Sequence, residues 1–188
     1  VLSMPVNEVK VVILGQDPYP TPGDAIGLSV VNGTERVPAS LRIITKEILT
    51  STGKGTVNIH SWEKQGIFLL NTALTVETGK PGSHLIFWSD FTKGLIEYLS
   101  KKSPVIWVLW GKSAQYYKKF IKQPFVISNY PEELLEEIPI KEDCNYVLEA
   151  PHPASETYSG GKAGFYGCNH FNIINHILKS KGLDEIDW

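Results

Sequence analysis

One apolar run that stops abruptly constrains the fold of this chain more than any other feature. Residues 11–14 are all aliphatic, which is typical of a strand buried on both faces. The run ends at Gly15 and is followed by Gln16, Asp17 and, after a proline, Tyr19. Ligands bind where the strands of open α/β sheets end, so this turn is predicted to carry binding or catalytic side chains.

Strand-like runs alternate along the chain with segments of helical periodicity. The strand-like runs are residues 9–14, 67–70, 105–110 and 146–148, with a weaker one at 125–128. Helical patterns are a segment capped by Ser40 and ending near Gly53, one capped by Ser89 or Asp90, one over residues 113–121, and one over 168–181. The alternation predicts an α/β fold with three layers, α/β/α, around a short, mainly parallel sheet of four strands.

Length and charge describe one domain with an uneven surface. The 188 residues fit a single domain. The net charge is −2, but residues 129–145 hold six acidic residues against one lysine, and we interpret them as an acidic insertion. It is either a solvated surface segment, which we favour, or a partner-binding site. The rest of the chain has 17 basic and 14 acidic residues, which permits contacts with phosphates.

Cysteines and apolar runs indicate a reducing compartment. Cys144 and Cys168 lie in no metal-binding spacing and are predicted to be free thiols. No apolar run approaches the roughly 18–20 residues of a membrane span, and the chain does not start as a signal peptide does. We therefore expect an intracellular domain without a membrane partner, in cytoplasm or nucleus.

Polar side chains follow several of the predicted strands. Asn71 follows the second strand, residues 111–113 the third, and His152 the last, as Gln16 and Asp17 follow the first. Because the carboxyl ends of parallel strands share one edge of a sheet, these groups are predicted to converge. Taken alone, Asn71 is equally compatible with a turn residue, and His152 with a hydrogen-bonded loop histidine.

This set of side chains suits cleavage of a bond between a sugar and a base. The carboxamides of Gln16 and Asn71 pair donors with acceptors, as the edge of a nucleobase requires. Asp17 can orient water or stabilise a cationic sugar, and His152 can donate to an oxygen that gains negative charge. Ordinary glycosidases use two carboxylates; one suffices if the leaving group is a good enough anion.

The ordered motifs of the chain resemble those of a known family. They are Gly15-Gln16-Asp17-Pro18-Tyr19, Val37-Pro38-Ala39-Ser40, residues 66–76 with Leu70-Asn71-Thr72, Ser83-His84, residues 107–111 followed by Ala114-Gln115, His152-Pro153, Gly167-Cys168-Asn169-His170-Phe171 and Ile186-Asp187-Trp188. These motifs run over nearly the whole chain. In them the chain is similar to family 1 of the uracil-DNA glycosylases.

The resemblance implies hydrolysis of the N-glycosidic bond between uracil and deoxyribose in DNA by base flipping, which leaves an abasic site. It implies that Asp17 positions or activates the attacking water and that neutral His152 hydrogen-bonds the uracil O2. Asn71 would read the N3 and O4 edge, Gln16 would contact the base, and Tyr19 would exclude the methyl group of thymine. No metal or organic cofactor is implied. The expected partner is single- or double-stranded uracil-containing DNA, bound by a monomer.

The same resemblance implies that three loops pinch the DNA backbone and help to flip the uridine out of the stack. The predicted DNA-binding residues are Pro38, Ser40, Gly111, Lys112, Ser113, Ser155 and Tyr158. Lys112 stands where the family usually has serine, and it either adds a charged contact or is a solvated lysine.

Other departures concern the base and the duplex. Val30 stands where the family usually stacks a Phe on uracil, so another ring stacks there or base binding loses about 1–3 kcal/mol. After His152 the loop is longer than usual, and Glu156 stands where the family pushes a Leu into the base stack. Because glutamate is a poor wedge beside phosphates, we hypothesise that Tyr158 intercalates; the alternative is that Tyr158 packs on the protein. The domain is also expected to lack the family's N-terminal helical region.

Two other functions are compatible with parts of the sequence. A DNA-binding polymerase accessory protein with weak or dispensable catalysis would explain the absent stacking ring, although the presence of Gln16, Asp17, Asn71 and His152 opposes it. A generic small-ligand hydrolase would leave the ordered motifs unexplained.

Overall fold

A computed structural model describes residues 4–20, 38–54, 61–102, 104–128 and 130–188. Within these residues five strands form one parallel sheet: β1 (Val11–Gly15), β2 (Ile67–Asn71), β3 (Ile106–Trp110), β4 (Pro124–Ser128) and β5 (Asn145–Ala150). Their order is β2-β1-β3-β5-β4.

The predicted parallel sheet is confirmed, but the prediction of four strands was wrong by one. The weak run at 125–128 is a full edge strand, β4, which pairs with β5 along its whole length. An edge strand is partly solvated, and Val126 in its middle is 41% exposed, which explains the weak apolar signal. Pro124 starts the strand, a position that tolerates a residue without an N–H group.

Helices fill most of the connections in the described chain. They are α1 (Ala39–Thr52), α2 (Leu85–Lys102), α3 (Lys112–Gln115), α4 (Ser155–Ser159) and α5 (His170–Ser180). Helix α1 ends at the left-handed Gly53 as predicted. Ser40 is not its cap, because Pro38 takes the N-cap position and no side chain caps the helix.

Two other helices differ from prediction at their ends. Helix α2 begins at Leu85, ahead of Ser89 and Asp90, because the Trp88 N–H already donates to the His84 carbonyl. The predicted helix at 113–121 divides into α3 and a 3₁₀ turn over Tyr116–Phe120.

Alternate residues of β1 enter two separate cores. Val11 and Ile13 belong to a core that includes apolar residues of α1 and α5, whereas Val12 and Leu14 belong to one that includes residues of α2. Successive side chains of a strand point to opposite faces, and helices on both sides of the sheet bury the first four residues of β1. The three-layer α/β/α prediction is confirmed.

The strand order reverses direction between β1 and β3. Strand β2 pairs with one side of β1 and strand β3 with the other, with Gly15 opposite Asn71 and Leu14 opposite Leu109. Connections leave the carboxyl ends of β1 and β3 in opposite directions, which opens a crevice there. No helix in the described part of the chain combines the length and apolar character that a membrane span requires.

The described residues of the acidic stretch before β5 lie mostly on the surface. It contains a short 3₁₀ turn, Glu132–Glu137, whose four glutamates are exposed. Ile138, directly after the turn, is buried in the core and holds the segment against the domain.

Candidate active site

A cleft of about 640 Å³ opens at the reversal between β1 and β3. It brings together most of the predicted site residues, which lie at or beyond the carboxyl ends of four different strands. Those lining it are Gln16, Asp17, Tyr19, Ser40, Asn71, Gly111, Lys112, Ser113, His152 and Tyr158. Pro38 and Ser155 are not part of this lining, and Val30 lies outside the described residues.

Main-chain hydrogen bonds continue the β1–β2 pairing into the cleft. The Thr72 N–H donates to the Gly15 carbonyl at 2.9 Å, and the Gln16 carbonyl accepts from the Thr72 hydroxyl at 2.7 Å. A Cβ atom at Gly15 would collide with the Asn71 Oδ1, so the absence of a side chain at Gly15 leaves the space in which the Asn71 carboxamide lies. This pairing places the Asn71 carboxamide beside the Gln16 turn.

The Asp17 carboxylate is held from both sides. The Gly82 N–H donates to Oδ2 at 2.5 Å, and the Gln16 Nε2 donates to Oδ1 at 3.2 Å. The Ser113 hydroxyl in turn donates to the Gln16 Oε1 at 3.0 Å. This chain of hydrogen bonds fixes Asp17 at the edge of the sheet, where a half-buried carboxylate can accept a proton from water.

His152 is held as a neutral imidazole. Its Nδ1 accepts the Ala154 N–H at 3.1 Å, which requires that Nδ1 carry no proton. Desolvation in the cleft lowers the pKa of His152 below its usual value of 6.5. The remaining ring proton therefore lies on Nε2, which becomes a hydrogen-bond donor for an anion in the cleft.

Gly111 makes room for His152. Its φ of 87° lies in the left-handed region, and a Cβ atom there would stand 2.8 Å from the His152 Cβ. A side chain at this position would therefore both strain the turn after β3 and displace the imidazole.

The Asn71 carboxamide is available to a ligand. Among the residues that the structure describes, none hydrogen-bonds its side chain, which is half-buried in the cleft wall. A carboxamide fixed by its strand and free at its end can pair with a donor and an acceptor on a planar base. The described residues contain no cluster of three or more His, Cys, Asp or Glu that could hold a metal ion.

The loop over the cleft, residues 154–166, contains two side chains with opposite environments. Tyr158 is 90% exposed, whereas Glu156 is only 3% exposed and faces the protein. The sequence identified Glu156 as unsuited to intercalation but did not reveal that its carboxylate is buried. The one sign of this burial in the sequence is that an acidic residue precedes a glycine-rich segment. Buried carboxylates commonly accept hydrogen bonds from the backbone N–H groups of such loops.

The cleft lies at the reversal point of a parallel sheet, and its carboxamides and neutral imidazole are fixed before any ligand arrives. These features place the protein among the α/β enzymes that bind a planar ligand at the carboxyl edge of the sheet.

Comparison with known proteins identifies the family. The model of the uracil DNA glycosylase superfamily matches residues 3–179. Uracil-DNA glycosylase 1 of Bacteroides fragilis is 38% identical over 99% of this chain and 77% of its own length. The uracil-DNA glycosylase of Fusobacterium nucleatum is 40% identical over 98% of this chain and 74% of its own length.

Solved structures agree with the sequence relatives. The crystal structure of mimivirus uracil-DNA glycosylase is 26% identical, with a TM-score of 0.77 over 98% of this chain and 69% of its own. A mimivirus variant in complex with UGI has a TM-score of 0.78. The chain belongs to the uracil-DNA glycosylase family and is a DNA-repair hydrolase that cleaves the N-glycosidic bond of uracil.

Proposed function

We propose that the cleft excises uracil with Asp17 and His152 as its catalytic residues. The observation that carries this assignment is that both groups are fixed at one edge of the sheet by backbone N–H groups. The Gly82 N–H holds the Asp17 carboxylate, and the Ala154 N–H holds His152 in the tautomer that donates from Nε2.

The reaction begins with heterolysis of the bond between the deoxyribose C1′ and the uracil N1. The electron pair leaves with uracil, and negative charge builds on O2, where the His152 Nε2–H donates a hydrogen bond. The sugar becomes cationic at C1′ beside the Asp17 carboxylate. Asp17 then takes a proton from the water whose oxygen bonds to C1′, which leaves an abasic site.

Three further residues read the base. The Asn71 carboxamide pairs with the uracil N3–H and O4, and Gln16 contacts the base from the turn that also holds Asp17. Tyr19 lines the same cleft and blocks the space that the C5 methyl group of thymine would occupy. By counting along the sequence, Val30 occupies the position at which the family usually stacks a Phe on uracil.

The DNA backbone is gripped by the loops around the cleft. The residues assigned to this contact are Pro38, Ser40, Gly111, Lys112, Ser113, Ser155 and Tyr158. Ser155 also has a structural contact, because its hydroxyl donates to the His152 carbonyl at 2.5 Å. The 90% exposure of Tyr158 favours its intercalation over the alternative that it packs on the protein. The enzyme acts as a monomer.

Release of free uracil from single- and double-stranded oligonucleotides tests the assignment. Asp17→Asn removes the proton acceptor and is expected to lower the rate by about 10³-fold. His152→Leu removes one donor to the uracil anion and is expected to lower it by about 10²-fold. Asp90→Asn makes the same chemical change at a surface carboxylate that pairs with Lys93, and it should leave the rate unchanged.

The same assay separates catalysis from a purely DNA-binding role. Parent activity no higher than that of Asp17→Asn and His152→Leu would refute both assignments and favour a polymerase accessory protein. The steric role of Tyr19 is tested by measuring the release of thymine. Tyr19→Ala is expected to release thymine, and continued complete rejection of thymine would refute the steric role.

A further inference from the structure

We propose that Glu156 is a positioning residue that holds Tyr158 in the conformation needed to open duplex DNA. This proposal rests on the intercalating role assigned to Tyr158 above. Its basis is the set of contacts that the Glu156 carboxylate makes across the loop of residues 154–166.

The carboxylate binds backbone groups from the far side of the loop. Oε1 accepts the Phe165 N–H at 2.5 Å and the Tyr166 N–H at 3.1 Å, and Oε2 accepts the Ala163 N–H at 2.9 Å. The Ser159 hydroxyl lies 3.4 Å from Oε2. Backbone donors buried without an acceptor are costly, so one carboxylate closes the loop by satisfying three of them.

Helix geometry links this carboxylate to Tyr158. Both residues belong to α4, Ser155–Ser159, and two residues along a helix turn the side chain by about 200°. Glu156 therefore points into the protein when Tyr158 points out, as their exposures of 3% and 90% show. Holding Glu156 inward fixes the direction in which the Tyr158 ring projects over the cleft.

The far side of the loop is itself attached to the sheet. Phe165 is fully buried, and its ring meets that of Trp110, the last residue of β3, edge to face at 5.1 Å. Trp110 also lines the cleft. The contacts of Glu156 therefore connect the turn that carries Tyr158 to a fixed point beside His152.

The carboxylate remains charged in this position. Burial alone would raise the pKa of Glu156, but the hydrogen bonds from Ala163, Tyr166, Phe165 and Ser159 outweigh it and lower the pKa below its usual value. An ionised carboxylate offers only acceptors, which matches the donors around it.

Loss of this anchor should matter most for duplex substrates. An unanchored loop must be ordered during binding, and the conformational entropy lost in immobilising a large side chain weakens binding. A uridine in single-stranded DNA has no paired partner, so extruding it costs less than extruding one from a duplex. Glu156 should therefore affect the ratio of double- to single-strand activity rather than the chemical step.

Glu156→Gln tests the proposal in the whole chain. Glutamine can retain an acceptor for Phe165 and Tyr166, but its amide group then meets the Ala163 N–H, a second donor. We expect kcat/KM on double-stranded uracil DNA to fall up to about tenfold and that on single-stranded DNA to fall far less. Equal losses on both substrates would overturn the proposal.

A double-mutant cycle tests whether Glu156 acts through Tyr158. In a Tyr158→Ala background, Glu156→Gln should cause no further loss on duplex DNA, because the ring that it positions is gone. A full additional loss would mean that Glu156 acts by another route. If Tyr158→Ala does not lower the activity on duplex DNA, Tyr158 does not intercalate. If Tyr158→Ala lowers that activity but Glu156→Gln does not, Tyr158 intercalates and only the positioning role of Glu156 is refuted.

Matched carboxylates serve as controls. Glu47 is also buried and accepts the Gly167 and Asn169 N–H groups, outside the Tyr158 turn, so Glu47→Gln should lower Tm without changing the ratio of activities. The exposed Glu133→Gln should change neither. An equal change of the activity ratio in Glu47→Gln would attribute the effect to a general loosening of the fold.

If Glu156→Gln does not fold, Ser159→Ala provides a second test, because it removes one contact of the same carboxylate. Ser159→Ala is expected to shift the activity ratio in the same direction. An unchanged ratio would count against the proposal.

Discussion

The strand ends at the bottom of the cleft and the loop above it are held in different ways. Gly15 and Asn71 belong to the sheet ladder itself, and main-chain hydrogen bonds continue that ladder past the last strand residue. The loop of residues 154–166 has no ladder to follow, and the Glu156 side chain holds it instead.

The difference indicates a division of labour. Regular backbone pairing places Asn71 and the Gln16 turn. Backbone N–H groups of neighbouring turns then fix the Asp17 carboxylate and the His152 ring. Tyr158, the residue assigned to duplex opening, lies in the short helix α4, whose position over the cleft depends on the contacts of the Glu156 side chain. Changes at the strand ends should therefore reduce activity on every substrate, and changes in the loop should reduce it mainly on duplexes.

Gly111→Ala is expected to cause a large loss of activity at the strand ends. The new Cβ would lie 2.8 Å from the His152 Cβ, at a φ that disfavours alanine. Displacing the imidazole by about 1 Å should lower kcat by about 10²-fold on single- and double-stranded DNA alike. Gly94→Ala, in α2 with open space around its Cβ, is the matched control and should leave kcat unchanged. A normal kcat in Gly111→Ala would show that His152 needs no such space.

The pH dependence of kcat/KM should show the neutral state of His152. Because the folded pKa lies below 6.5, the ring is neutral at pH 7 and becomes protonated only as the pH falls through that lower value. Protonation of Nδ1 breaks the bond from Ala154, so activity should fall by about tenfold per pH unit below the pKa. His152→Gln should lack this acid limb. An unchanged limb in that variant would assign the limb to a group other than His152.

Lys112→Ser should have the smallest effect. Lys112 is exposed at the cleft rim, and one phosphate contact contributes about 0.9 to the slope of log affinity for duplex DNA against log salt. The slope measured for the variant should be smaller by about 0.9, and its kcat should be unchanged. Lys101→Ser, near the end of α2, gives a control at an exposed lysine outside the cleft lining. An unchanged slope in Lys112→Ser would mean that Lys112 is simply solvated.

The sequence predicted the strand ends well because their signals are local. Apolar runs that stop at polar residues located Asp17, Asn71 and His152, and the rule that parallel strand ends share an edge brought them together. Edge strand β4 and the start of α2 were harder to predict, because exposed apolar residues blur the pattern. Ile86 and Phe87 in the first turn of α2 are 93% and 79% exposed.

The loop could not be predicted because its support is not local. Glu156 accepts N–H groups from residues that follow it by seven to ten positions, across a segment without periodicity. Only the folded backbone shows that these donors surround one carboxylate. The same holds for the Gly82 N–H on Asp17, which joins residues 65 positions apart.

Single-turnover uracil release from matched single- and double-stranded oligonucleotides tests the division of labour most directly. Asp17→Asn should lower both rates by the same factor, about 10³. Tyr158→Ala should lower the duplex rate by about tenfold and the single-strand rate far less, so that only this variant changes their ratio. Equal losses on both substrates in Tyr158→Ala, or a changed ratio in Asp17→Asn, would contradict the account.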